Sequence, residues 1–65
     1  MATLERYDSI SYRIVDGSVV VGMALQLANG SWRAFNDEEK PMSVRNFDTP
    51  RDVLDWWNEN VRKAG

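Results

Sequence analysis

The sequence contains no cysteine and no histidine among its 65 residues. Without cysteine the chain cannot form a disulfide, and without either residue type it lacks the ligands of most structural zinc sites. The same absence removes the commonest general base and the strongest nucleophile from any catalytic site. The serines show no activating pattern, and the glycines form no phosphate-binding motif. We therefore expect a protein that is not an enzyme and has no catalytic residues, no metal site and no cofactor.

Long apolar runs and an excess of positive charge are absent as well. No stretch approaches about 18 consecutive apolar residues, and residues 1–15 hold no apolar core of a signal peptide. We therefore expect a cytoplasmic protein with no membrane partner. Eight basic and ten acidic residues give a net charge of −2, whereas nucleic-acid-binding proteins usually carry a basic patch. The charge balance disfavours a nucleic-acid partner without excluding one.

The chain has the length of one small domain, spanning residues 1–65. A domain of this size buries only about 60% of the surface that its unfolded chain exposes, so its core must be densely packed or completed by a partner. Three Trp, two Tyr and two Phe provide large apolar areas for either purpose.

The sequence pattern predicts an α+β fold, in which an antiparallel sheet of three or four strands in meander order packs against one C-terminal helix. Alternating apolar and polar residues indicate three strands, at residues 10–14, 19–27 and 31–35. Residues 42–47 are apolar enough for either a short fourth strand or an extended edge segment. Residues 1–8 are polar, and we expect them to be only loosely attached.

The dipeptide Asn29-Gly30 predicts the register of the second hairpin. A two-residue type I′ turn needs positive φ at both central residues, which Asn tolerates and Gly adopts freely. That turn places Gln26 opposite Arg33, and Ala24 opposite Phe35. The large odd-numbered residues of the middle strand then face the core together with two residues of the next strand: Val19, Val21, Met23, Leu25, Leu27, Trp32 and Ala34.

The C-terminal helix has clear start signals. Thr49 is a suitable N-cap, Pro50 suits the first helical position, and Asp52 stands at N3 as in a capping box. At 100° per residue the helix has an apolar stripe about 100° wide, which suits a face packed on a sheet. The stripe consists of Pro50, Val53, Leu54, Trp57, Val61 and Ala64.

Trp56 points about 110° away from the centre of that stripe, beside the inward-facing Trp57. One interpretation is a flank residue that packs over the edge of the sheet. The other is an anchor for a protein partner, because Trp is enriched in interface hot spots. Phe35 has the same two interpretations on the sheet face away from the core, where it would form an apolar patch with Val20 and Ala24.

Asp52, Asp55 and Glu59 cluster within about 60° on the solvent side of the predicted helix. One interpretation is a ridge that docks on a basic partner. The other is an ordinary solvated helix face, on which Arg51 pairs with Asp55. Glu59 would then pair with Lys63 at the same i,i+4 spacing. The first interpretation gives the predicted partner-binding residues, which are Trp56, Phe35, Asp52, Asp55 and Glu59.

Polar residues on the predicted outer sheet face favour a different class of partner. Arg33 and Gln26 form a cross-strand pair in the predicted register, and Arg13 and Arg45 join them in some strand orders. Sheets that present Arg and Gln can read base edges in the major groove of DNA. The alternative is ordinary solvation of an exposed sheet face.

Part of the chain resembles a known DNA-binding family. The run Asn29-Gly30-Ser31-Trp32, followed by Phe47-x-Thr49 and a helix with Val53 and Trp57, is similar to the small domain of phage integrases that binds arm-type DNA sites. That domain has a three-stranded sheet and one helix. The resemblance covers under half of the chain, and it concerns the fold pattern rather than a specific motif. It implies a DNA-binding sheet face, which is rich in Lys and Arg in that family and has chiefly Arg33 here.

These features give three hypotheses about function. The leading one is a non-enzymatic protein-binding module, a small regulator or inhibitor of phage or mobile-element origin that docks on a larger protein or nucleoprotein assembly. Its anchor would be Trp56 or Phe35, ringed by acidic residues. The second is a small DNA-binding domain that reads duplex DNA with its exposed sheet face. The third is a structural protein that self-associates, for example into a homodimer, through that face or an edge strand.

Overall fold

Four antiparallel strands and one helix make up the fold of the chain. The structure is a computed structural model that describes residues 1–42 and 45–61. Its elements are β1 (Thr3–Asp8), β2 (Ser11–Asp16), β3 (Val19–Gln26), β4 (Trp32–Asn36) and α1 (Pro50–Asn60). The strands form one sheet in the order β1-β2-β3-β4, and α1 packs across it against β4, β3 and β1. The predicted α+β meander with one helix is confirmed, and the sheet has four strands.

Residues 3–8 form β1, a strand that the sequence pattern did not predict. The prediction that residues 1–8 are loosely attached is therefore wrong. β1 pairs with β2 along its length, with Leu4 opposite Ile14. Ala2, just before β1, is buried, and its N–H donates to Oδ1 of Asn58 at 3.0 Å. The Nδ2 group of Asn58 donates back to the Ala2 carbonyl at 3.3 Å. These two hydrogen bonds fasten the start of β1 to α1, which the polar sequence of this segment did not indicate.

Met42 and Phe47 both bond to the outer edge of β4, and neither belongs to one of the four strands. The N–H of Trp32 donates to the Phe47 carbonyl at 2.7 Å, and the N–H of Phe47 donates back to Trp32 at 2.7 Å. The N–H of Met42 donates to the Ala34 carbonyl at 2.8 Å. Isolated antiparallel bridges join Phe47 to Trp32 and Pro41 to Phe35, and residues 43 and 44 of the predicted segment lie outside the described residues.

Beyond the ends of β3 and β4, Leu27 and Ser31 pair and close a hairpin loop of three residues, 28–30, so the predicted two-residue type I′ turn is wrong. The N–H of Gly30 donates to the Leu27 carbonyl at 2.9 Å, and the N–H of Leu27 donates to the Ser31 carbonyl at 2.7 Å. Gly30 has φ 88°, whereas Asn29 has no positive φ. This is a type I turn followed by a left-handed glycine, the usual geometry of a three-residue hairpin loop.

The longer loop shifts the pairing with β4 by one residue, which moves the side chains of residues 22–26 to the face opposite the predicted one. Gln26 now lies opposite Trp32, and Ala24 opposite Ala34. Gly22, Ala24 and Gln26 therefore face the helix side of the sheet, and Ala24 is fully buried there. The predicted core positions Val19, Met23, Leu25 and Leu27 are wrong, because none of them belongs to the buried core.

Val21 is the one residue of β3 for which the predicted core position is correct. The register shifts between Ile14 and Val15, and this bulge in the β2–β3 pairing allows Val21 to pack against the core. The prediction that Trp32 and Ala34 face the core is confirmed. The buried hydrophobic residues are Ala2, Ile14, Ala24, Trp32, Ala34, Phe47, Val53, Leu54 and Trp57.

The helix begins as predicted. Thr49 has extended backbone angles, and its Oγ1 accepts a hydrogen bond from the N–H of Asp52 at 3.1 Å. The apolar stripe is confirmed at Val53, Leu54 and Trp57, which are buried. Ala64 and Lys63, for which contacts were also predicted, lie outside the described residues. Over residues 1–42 and 45–61, no helix is both long and apolar enough to span a bilayer.

Candidate functional site

The start and one side of α1, together with the residues that precede it, line an open groove of about 610 Å³. We call it the Trp56 groove. Its wall on one side is the helix, which presents residues three and four positions apart on a single face. Its other wall is formed by residues 45–48. The lining residues are Arg45, Asn46, Phe47, Asp48, Asp52, Asp55, Trp56, Glu59 and Asn60.

Trp56 packs on the rim of the core and also lines the groove. Its ring centroid lies 6.2 Å from that of Phe47, with the ring planes tilted by 49°. Phe47 is buried and is held to Trp32 by two backbone hydrogen bonds. Trp56 itself stays partly exposed. The indole therefore rests on a fixed aromatic neighbour while part of its surface faces the groove.

The acidic residues predicted on the helix line the same groove as this indole. Asp52, Asp55 and Glu59 line the groove from α1, and Asp48 lines it from the preceding segment. The predicted pair between Arg51 and Asp55 is confirmed at 3.6 Å, but both side chains are largely exposed, so it offsets little of the charge. Within the described parts of the chain, no three acidic side chains are arranged to hold a metal ion.

One arginine of the chain also reaches the groove. The guanidinium carbon of Arg45 lies 5.0 Å from the ring centroid of Phe47, within the range of a cation–π interaction. Arg45 was predicted as a nucleic-acid contact on the outer sheet face. The structure places it in the groove instead, beside the aromatic pair of Phe47 and Trp56.

Phe35 lies on a different surface, the sheet face that points away from α1. In the observed register it is opposite Met23 rather than Ala24. The predicted patch of Val20, Ala24 and Phe35 is therefore wrong in one member, because Ala24 is buried beneath the helix. Val20 is 40% exposed. The outer face carries the apolar residues Val15, Val20, Met23, Leu25 and Phe35.

The four residues predicted to contact nucleic acid do not share one surface. Arg13 and Arg33 are on the outer sheet face, opposite Met23 and Leu25 respectively. Gln26 is on the helix side of the sheet, so its predicted cross-strand pairing with Arg33 is wrong. Its Nε2 group donates to the Gly30 carbonyl at 3.1 Å. Arg45, the fourth of these residues, lies in the Trp56 groove.

The two arginines of the outer face already have partners within the chain. The guanidinium carbon of Arg13 lies 4.3 Å from the ring centroid of Tyr7, and its Nη1 lies 3.7 Å from Oε1 of Glu5. The Nε of Arg33 donates to Oδ1 of Asn46 at 2.9 Å. Both contacts are at exposed or half-exposed positions, so they restrain the side chains without removing them from solvent.

The sequence did not identify residues 45–48 as one wall of a site. The only indication in the sequence was the position of Trp56 off the apolar stripe of the helix. A large aromatic side chain at that position must pack against residues other than those that contact the stripe. The structure supplies that neighbour as Phe47. The resulting groove can hold a side chain that is both cationic and flat, since it combines aromatic rings with carboxylates.

In comparisons with known proteins, no family model, no curated protein and no solved structure matches this chain.

Proposed function

We propose that this chain is a non-enzymatic protein-binding module, a small cytoplasmic regulator or inhibitor that docks on a larger protein or nucleoprotein assembly through the Trp56 groove. The observation that carries the proposal is the position of Trp56, which is partly exposed and lines a groove together with four carboxylates. The likeness to the integrase domain suggests a phage or mobile genetic element as the origin.

The layout of the groove matches the anatomy of a protein interface. Binding energy at such interfaces concentrates in a few anchors, among which Trp is strongly enriched, and charged residues form the rim. The ring of Phe47 packs against the indole of Trp56, and this contact reduces the side-chain entropy lost when a partner covers Trp56. The surrounding carboxylates favour a basic partner and speed its approach at low salt.

A pair of variants on opposite faces tests the proposal. The chain would be used as bait in a pull-down with mass spectrometry, as wild type, Trp56→Ala and Phe35→Ala, with the fold of each checked by circular dichroism. We expect Trp56→Ala to stay folded and to lose the partner, and Phe35→Ala to keep it. If both variants retain the partner and lose only stability, the groove is not the docking site.

DNA binding by the outer sheet face is the second candidate. The observation in its favour is that Arg13 and Arg33 lie on the same uncovered face of the sheet. This function predicts duplex binding that weakens steeply with salt and is lost in Arg33→Ala. The absence of a gel shift at low salt with a panel of duplexes would remove it.

Self-association is the third candidate, and the apolar character of the same face favours it. Met23, Leu25 and Phe35 lie there without cover from α1, whereas a solvated antiparallel face is usually polar. A concentration series of solution molecular weight distinguishes it from the other two. A mass that stays at 7.5 kDa at all concentrations would contradict it.

A further inference from the structure

The Trp56 groove contains a contact that indicates which chemical group it accepts. Arg45 already places its guanidinium group over Phe47, one of the two rings that meet there. We propose that the partner inserts an arginine, from a basic segment of its chain, whose guanidinium group stacks on Trp56. The inference rests on the proposed function, since it specifies the chemistry of the partner that binds the groove.

Stacked guanidinium groups are a recurring feature of this chain. Arg6 lies 5.6 Å from the ring of Tyr12, and Arg13 lies 4.3 Å from the ring of Tyr7. Among the described residues, arginines stack in this way on both tyrosines and on Phe47, but none stacks on Trp56. Trp is the best cation–π acceptor of the aromatic residues, so the exposed part of the Trp56 indole would bind a cationic group from another molecule well.

The carboxylates around Trp56 suit the planar fork of an arginine. A guanidinium group presents five N–H donors in one plane, and it can bond carboxylates while its face stacks on a ring. Within residues 1–42 and 45–61, the ion pairs involve neither Asp48 nor Asp52 nor Glu59. These three acceptors line the groove together with the indole. A lysine would satisfy the charge but not the planar geometry.

Arg45 has a second consequence, because its charge acts against a second cation in the same groove. A partner arginine on Trp56 would share the aromatic pair with the guanidinium group already on Phe47. Replacing Arg45 with a neutral side chain removes that repulsion. We therefore expect Arg45→Gln to bind an arginine peptide more tightly than the wild type does, by roughly threefold to tenfold at low salt.

The direct test uses three short peptides that alternate glycine with arginine, with citrulline or with lysine. Citrulline keeps the planar shape without the charge, and lysine keeps the charge without the plane. The readout is the NMR signal of the Trp56 indole N–H during titration of the wild-type chain. We expect the arginine peptide to bind, and both the citrulline and the lysine peptides to bind roughly tenfold more weakly.

Two sets of variants separate this inference from simple attraction to an acidic surface. Trp56→Ala should abolish binding of the arginine peptide, as judged by the remaining backbone signals of the groove. Asp55→Asn/Glu59→Gln should weaken it, whereas Asp37→Asn/Glu38→Gln, with the same change in net charge on an exposed loop away from the groove, should not. Equal binding to Trp56→Ala, or equal binding of the lysine peptide, would overturn the inference.

The proposed function and this inference fail in different ways. If a partner captured by the wild type is lost in Trp56→Ala but is not displaced by the arginine peptide, the groove binds a protein and the inference is wrong. If capture of the partner does not depend on Trp56, the proposed function is wrong whatever the peptide does. If the arginine peptide displaces the partner and the citrulline and lysine peptides do not, the result supports both the proposed function and the inference.

Discussion

The indole of Trp57 lies directly over the α-carbon of Gly22, in the space where any other residue would have its side chain. A β-carbon added at Gly22 would lie 2.8 Å from Cζ3 of Trp57, closer still to its Cη2, and 2.6 Å from the Phe35 carbonyl oxygen. Gly22 has no positive φ. Glycine is therefore required here because it has no side chain, and not because of its backbone freedom. This contact sets how closely α1 approaches the sheet.

The first prediction follows from this contact. Gly22→Ala should destabilise the fold by about 1–3 kcal/mol, because the added methyl group overpacks the core and pushes the helix from the sheet. Urea denaturation monitored by circular dichroism measures the change. In a Trp57→Phe background the same substitution should cost less, since the ring atoms that it meets are gone. A neutral or stabilising effect of Gly22→Ala in the wild type would contradict the close approach.

The second prediction concerns Glu39, which has φ 65° in the loop after β4. Its loop has the same hydrogen bonds as the one that ends in Gly30, here from Glu39 N–H to the Asn36 carbonyl at 3.0 Å. A left-handed conformation costs a residue with a β-carbon about 1–2 kcal/mol. Glu39→Gly should therefore raise the unfolding free energy by about 0.5–1 kcal/mol, after the entropy cost of glycine.

Glu38→Gly is the matched control for that substitution. Glu38 has no positive φ, so glycine relieves no strain there and only adds freedom to the unfolded chain. It should lower stability slightly, and both variants can be compared by thermal unfolding at neutral pH. A loss of stability in Glu39→Gly equal to that in Glu38→Gly would show that the left-handed conformation carries no cost.

The third prediction concerns the helix start. Thr49→Ala should cost about 1 kcal/mol, because the N–H of Asp52 loses the hydroxyl oxygen that caps it at 3.1 Å. Thr49→Ser keeps that oxygen and should cost little. Chemical denaturation of the two variants provides the measurement. A similar loss in both would indicate that the methyl group of Thr49, and not its hydroxyl, supports the helix.

The fourth prediction concerns pH. The hydroxyl of Ser11 donates to Oδ1 of Asp8 at 2.7 Å and the N–H of Ile10 donates to it at 3.0 Å, and these bonds hold the pKa of Asp8 below its ordinary value. A carboxyl whose pKa is lower in the folded state stabilises the fold above its unfolded pKa of about 3.9. That contribution disappears as pH falls through the lower folded value.

The measurement is an NMR titration of the Asp8 carboxyl, together with the melting temperature at a series of acidic pH values. Ser11→Ala should move the pKa of Asp8 upward, toward its ordinary value. Asp8→Asn should lose less stability than the wild type between about pH 4 and the folded pKa of Asp8. An unchanged pKa in Ser11→Ala would show that the hydroxyl does not favour the ionised carboxyl.

The elements that depend on neighbours in sequence were predictable. The helix start at Thr49 and the stripe through Val53 and Trp57 follow from local rules, and both are confirmed. The register of β3 was not predictable in this way, because Asn29-Gly30 suits a two-residue loop and a three-residue loop equally well in composition. The packing of the core favours the three-residue loop. That packing depends on α1, which is distant in the sequence.

The larger apolar residues of β3 also gave the wrong face. Met23 and Leu25 are bulkier than Gly22 and Ala24, so size alone assigns them to the core. The helix approaches so closely that only small residues fit beneath Trp57. For the candidate site, the sequence identified Trp56 and the helix carboxylates, while the wall formed by residues 45–48 depends on contacts across the chain that no local pattern records.

The hydrogen bonds between Ala2 and Asn58 join residues 56 positions apart. The sheet pairings, by contrast, all join strands that follow each other in the chain, and such short loops close at a small cost in entropy. We therefore expect the hairpins to form early in folding, with the docking of α1 against the start of β1 as a late step. The amide proton of Ala2, which bonds to Asn58, would then report, by its exchange with solvent, how often the helix lifts from the sheet while the strands stay paired.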